Sequence, residues 1–151
     1  MNMDTISLRW LHKVNPLTKR KRASKEKRAH SPSQVLGVFV NDQPLESWLE
    51  TIAASRGVKS LGDVFLAEHH VLEFAKGQWL ASCEFSGFIT LLACGCGHWE
   101  CSSIGVQTTV SDNWVHWRFD LTPIYLTRFG ELPEFWFDRQ AYCQMVSQFE
   151  F

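Results

Sequence analysis

The stretch "IGVQTTVSDNWVHWRF", residues 104–119, decides how the chain folds. Its first half alternates, with Ile104, Val106, Thr108 and Val110 on one side. Ser111–Asp112–Asn113 interrupts the run with turn formers. The second half alternates again: Val115, Trp117 and Phe119 on one side, Trp114, His116 and Arg118 on the other. Successive residues of a strand point to opposite faces, so this period of two on both sides of a turn predicts an antiparallel hairpin. One of its faces is buried and the other wet.

Upstream, "FITLLA" (88–93) reads as a buried strand that starts at Gly87 and runs directly into "CGCGHWEC" (94–101). Downstream, a linker rich in Thr, Pro and Gly leads to "EFWFD" (134–138). Asp138 is placed to cap a final helix that buries Ala141, Tyr142, Met145, Val146 and Phe149. Near the start of the body, Val35–Val40 reads as a strand and Asn41–Asp42 as a turn, and Pro44 suits the first turn of a helix. Leu45, Trp48, Leu49, Ile52 and Ala53 follow at i, i+3, i+4, i+7 and i+8, one helical face, and Gly57 stops it. Residues 58–80 read as a loop, then a strand near Val71–Phe74 and a turn at Lys76–Gly77. The order strand, helix, several antiparallel strands, helix predicts an α+β fold, a mainly antiparallel sheet with two helices packed on one face.

A chain of 151 residues holds one hydrophobic core. Its net charge of −1 conceals a split: residues 1–34 carry nine Lys/Arg and two acids, residues 35–151 six Lys/Arg and fourteen acids. The reading is therefore a basic, largely disordered arm over 1–34 and a single acidic α+β domain over 35–151. "KRKRASKEKRAHSPSQ" (19–34) has no apolar periodicity with which to offset its ordering entropy. An amphipathic piece around Ile6, Leu8, Trp10, Leu11 and Val14 is read as a segment that docks or folds on a partner. Lys19, Arg20, Lys21, Arg22, Lys25, Lys27 and Arg28 are the expected nucleic-acid contacts, weak and salt-sensitive, with a solubilising tail as the other reading.

No run approaches the ~20 apolar residues of a membrane span, and the opening lacks a secretory signal's order of charge then apolar run. Five cysteines, an odd number, argue against a disulfide framework. The expectation is a cytoplasmic protein with reduced thiols and no membrane partner.

Three readings of "CGCGHWEC" stand open. Cys94, Cys96 and Cys101 could hold zinc with His98 or Cys83 as fourth ligand, because Gly95 and Gly97 permit a tight turn and zinc takes four N/S ligands. Alternatively, the cysteines are small buried residues at a strand end. This reading leads, since the spacing is not a repeated C-x₂-C. Redox chemistry comes last: no Lys or Arg lies between Gly77 and Trp117, and Glu100 would raise a thiol's pKa. The cofactor expectation is accordingly none, or one structural zinc. His69–His70 read as a loop pair with diverging side chains. Trp114, His116 and Arg118 read as a protein-contact surface, since Trp and Arg anchor interfaces. No phosphate loop, H-E-x-x-H or G-x-S-x-G is present and no catalytic residue is assigned. The function expected is a non-enzymatic binding module engaging a protein partner. The alternatives are a small zinc- or thiol-dependent enzyme and a zinc-knuckle nucleic-acid-binding regulator.

Cys94, Cys96, Gly97 and Cys101, then Val115, Trp117 and Phe119, then Phe135, Phe137, Asp138, Arg139 and Tyr142 form a combination with a likeness. Together they resemble a family of small bacterial proteins with a C-x-C-G-x-x-x-C cluster, a V-x-W-x-x-F segment and an F-x-F-D-R-x-x-Y segment. Trp117 and Phe119 stand one residue closer here than in that pattern. The resemblance spans about Val35 to Phe149. It implies one domain, a bacterial source and a fixed cysteine cluster, and it implies no chemistry.

Overall fold

The alternation in residues 104–119 is realised as two antiparallel strands of a five-stranded sheet, seen in a computed structural model of the chain. The structure describes residues 3–12, 34–55, 57, 64–94, 103–121 and 132–151. In chain order the elements are β1 (Ile6–His12), β2 (Gln34–Val40), β3 (Gln43–Pro44), α1 (Leu45–Ser55), β4 (Val64–Phe65) and α2 (Glu68–His70). A π-helical stretch (Val71–Ala75) continues α2 into α3 (Lys76–Ala81). Then come β5 (Gly87–Cys94), β6 (Ser103–Val110), β7 (Trp114–Leu121), β8 (Phe135–Asp138) and α4 (Arg139–Gln148).

The protein is α+β, with two antiparallel sheets in the orders β1-β2-β3 and β4-β5-β6-β7-β8. The sheets are stitched together at both ends. Asp4 N–H donates to the Trp136 carbonyl at 2.8 Å, and Leu36 N–H donates to the Leu66 carbonyl at 2.9 Å. Two isolated bridges, Asp4 to Phe137 and Val35 to Ala67, thus join the edges of the two sheets. Between β2 and β3 the chain reverses through Asn41 and Asp42, with φ of 53° and 64°. This left-handed pair is the two-residue hairpin turn that Asn and Asp tolerate best.

The helices meet the inner face of the larger sheet. Trp79 of α3 lies 5.4 Å from Trp117 of β7, Tyr142 of α4 lies 5.5 Å from Phe137 of β8, and Trp48 of α1 lies 5.6 Å from Phe135. Trp79, Trp117, Phe137 and Tyr142 are the largest fully buried side chains. Asp138 caps α4 as expected, its Oδ2 accepting from Ala141 N–H at 2.9 Å. Gly105 of β6 pairs with Thr90 of β5: a Cβ there would stand 2.6 Å from the Ile89 carbonyl oxygen and against the Phe88 ring, so only glycine fits.

The structure departs from several of the sequence expectations. Ile6–His12 is no part of a disordered arm; it pairs with β2 along its whole length, from Ile6↔Val40 to His12↔Gln34. Leu8 is buried, and Ile6 and Trp10 pack against the core, so the alternation Ile6, Leu8, Trp10 marks a strand. The strand expected near Val71–Phe74 is helical. Val71, Ala75 and Trp79, spaced by four, are fully buried along one helical face. Ala141, placed in the core by the sequence, is exposed, because the buried stripe of α4 runs through Tyr142 and Val146.

Candidate functional site

The outer face of β7 and β8, opposite the helices, gathers the polar and aromatic side chains that alternation turned away from the core. The register pairs His116 with Trp136 and Trp114 with Asp138. His116 stacks on Trp136 with centroids 4.6 Å apart, and Trp114 meets the imidazole edge-on at 6.3 Å. His116 Nε2 lies 2.7 Å from Glu134 Oε1, which fixes the ring between the two indoles. Arg118 is exposed in the next outward row, and Gln107 Nε2 donates to Asp120 Oδ2 at 3.3 Å beside it. Trp136 is held from below: its N–H donates to Asp4 Oδ2 at 3.0 Å, and Asp4 Oδ1 accepts from Asn41 Nδ2 at 2.9 Å.

The three residues expected to form a contact surface, Trp114, His116 and Arg118, therefore share one face. Trp136 and Glu134 complete it and were missed, although Trp136 stands between the inward Phe135 and Phe137 and must point outward by the same alternation. The face offers two half-buried indoles, a held imidazole, a free-standing guanidinium and a carboxylate rim of Asp120, Glu134 and Asp138. That composition suits recognition by packing and charge.

A second feature lies between the end of α3 and α4. Leu80, Cys83, Glu84, Gln140, Cys143 and Ser147 line an open cleft of about 800 Å³. Under it, Ser82 Oγ donates to the Trp79 carbonyl at 2.6 Å, so the Tyr142 hydroxyl 2.7 Å away must donate to Ser82 Oγ. Burial lifts Tyr142 above the ordinary tyrosine range, and burial together with the neighbouring Cys143 thiol pushes Cys83 up to about 12.

Both groups keep their protons in the folded protein at a pH where the unfolded chain releases them. Their contribution to stability is whole below the unfolded values and is lost as pH rises through the folded ones. The melting temperature is expected to hold to about pH 8.5 and then to fall, with a shallower fall in Tyr142→Phe. Thermal melts of both proteins across the alkaline range check this; parallel declines would contradict it.

The remaining sequence-assigned sites fall differently. Cys96, His98 and Cys101 lie outside the described residues, as do Lys19, Arg20, Lys21, Arg22, Lys25, Lys27 and Arg28. Cys94 is the last residue of β5. Cys83 lies in the turn after α3, before the opposite end of that eight-residue strand. Among the described residues no group of three or more His, Cys, Asp or Glu could hold a metal ion. His69 and His70 do not diverge as expected; their ring centroids are 4.1 Å apart, with His70 buried. No helix among the described residues is long and apolar enough to cross a membrane.

Fold and face together describe an α+β protein that presents an aromatic, acid-rimmed sheet surface. Comparison with protein-family models, curated proteins and solved structures found no match to the chain.

Proposed function

We propose that this is a non-enzymatic cytoplasmic binding module. Its acidic body engages a basic protein partner through the outer face of β7 and β8, and its Lys19–Arg28 run adds weak nucleic-acid contact. One observation carries the reading: Trp114, His116 and Trp136 are gathered into one ring cluster on the sheet face opposite the helices. Indoles and guanidinium groups are the side chains that supply most binding energy at protein interfaces. The rim of Asp120, Glu134 and Asp138, with six Lys/Arg against fourteen acids over residues 35–151, favours a partner of positive charge and steers its approach. The resemblance to small bacterial proteins fits a single such domain without naming its partner.

A photo-crosslinking amino acid at position 114, compared with one at Gln144 on the exposed side of α4, tests the reading in the cell of origin. A discrete protein adduct should form from position 114, weaken in raised salt and vanish when Asp120→Lys and Glu134→Lys are added. Adducts from position 144 alone, or none from either, would overturn it.

A further inference from the structure

Two cysteines sixty residues apart meet at the mouth of the cleft between α3 and α4. Cys143 Sγ donates to the Cys83 carbonyl at 3.6 Å, which brings the Cys143 thiol against the Cys83 residue itself. The meeting is built. Arg139, one helical turn before Cys143, grips the same carbonyl through Nε and Nη2 at 3.3 and 3.1 Å. Its Nη1 bonds the Ser111 carbonyl at 3.2 Å, so the turn after α3, the β6–β7 loop and the start of α4 are tied at one point. Arg139 and Cys143 are spaced i and i+4 and therefore reach the Cys83 backbone from one helical face. Both thiols are half-buried and both line the cleft, which is open to small solutes.

We infer that Cys83 and Cys143 are a reversible redox pair, closing to a disulfide across the cleft when the protein meets a hydroperoxide. The inference is independent of the binding face, which lies on the other side of the larger sheet. The Cys143 thiol gives its proton to solvent and its sulfur attacks one peroxide oxygen. The O–O bond breaks, Cys143 becomes a sulfenic acid, and the departing hydroxide takes up a proton to leave as water. The Cys83 sulfur then attacks the sulfenic sulfur; the S–O bond breaks, the S–S bond forms, and the Cys83 proton leaves with the hydroxide as a second water. Two thiols lose two electrons and the peroxide gains them.

The order of attack follows from the surroundings. Burial and the Cys143 thiol hold the Cys83 thiol up at about 12, so it is the poorer attacker and takes the resolving role. The reaction should therefore be slow near neutrality and accelerate as the medium becomes alkaline. The bond would close a loop of sixty residues between two elements already in contact, which restricts the unfolded chain more than the folded one.

Treatment of the reduced full chain with about one equivalent of hydrogen peroxide, followed by glutamate-specific proteolysis without reductant, tests this. Cleavage after Glu73, Glu84, Glu134 and Glu150 puts Cys83 on the fragment 74–84 and Cys143 on the fragment 135–150, with the other three cysteines elsewhere. The expected result is a linked pair of these two fragments, lost on adding dithiothreitol, with a melting temperature several degrees above the reduced protein. Cys143→Ser should remove both the linked pair and the thermal shift. Recovery of both fragments with free, alkylatable thiols would overturn the inference. So would disulfides that join either cysteine only to Cys94, Cys96 or Cys101. The fragment map is read on the unaltered chain and stands whether or not the variant folds.

Discussion

Removal of residues 1–12 is expected to abolish cooperative folding. Those residues supply β1, whose loss strips β2 of seven register partners and exposes its edge. Leu8 is 7% exposed, and losing one buried leucine side chain alone costs about 2–5 kcal/mol. Trp10 adds a ring contact with Phe149 at 5.9 Å and donates its indole N–H to the Glu150 carbonyl at 2.8 Å, so β1 also secures the end of the chain. Asp4 goes with it, and with Asp4 the stitch to β8. Together these losses rival the ~5–15 kcal/mol that holds a small domain folded. A thermal or urea transition followed by circular dichroism should be absent or non-cooperative in the truncated chain. A transition within a few degrees of the full chain would mean that β1 is dispensable.

Trp117→Ala is the most damaging single change expected, at about 3–5 kcal/mol. The Trp117 ring is fully buried and lies 5.0 Å from Phe137 edge-on, 5.4 Å from Trp79 and 6.3 Å from Tyr142. It is the point where β7, β8, α3 and α4 touch, so a cavity there loosens the contact of both helices with the sheet. Such a cost lowers the melting temperature by roughly 10 °C in a chain of this length. Trp79→Ala should cost a similar amount, and the double variant less than the sum, because each ring is the other's wall. Urea unfolding of the three variants measures this; a loss below about 1 kcal/mol for Trp117→Ala would show that the cluster does not organise the core.

Much of this architecture was legible in the sequence where the period was local. The β6–β7 hairpin, α1 with its Leu45–Leu49–Ala53 face and the Asp138 cap all declare themselves within short, contiguous stretches. β1 was hidden for a different reason. Its alternation is as clean as that of β7, yet it spans seven residues beside a long charged run, and its partner β2 begins twenty-two residues after it ends. Charge composition spoke for a disordered arm, and pairing with β2 overrode it. The helix over residues 68–81 was obscured by Gly77, a poor helix former, and by a π-helical stretch that shifts the periodicity. On the outer face, Trp114, His116 and Arg118 were readable from alternation, whereas the His116–Glu134 contact depends on how β8 registers with β7. The meeting of Cys83 and Cys143 left no trace in spacing at all, since tertiary packing alone brings them together.

The central claim is that the outer face of β7 and β8 is where this protein meets its partner. The most direct measurement is amide hydrogen exchange on the complex formed with the protein captured from position 114, against the free chain. Exchange should slow across Trp114–Leu121 and Phe135–Asp138 and stay unchanged over Arg139–Gln148, on the cleft side. Protection confined to Arg139–Gln148 and Lys76–Ala81, with β7 and β8 unaltered, would place the contact on the cleft and contradict the account.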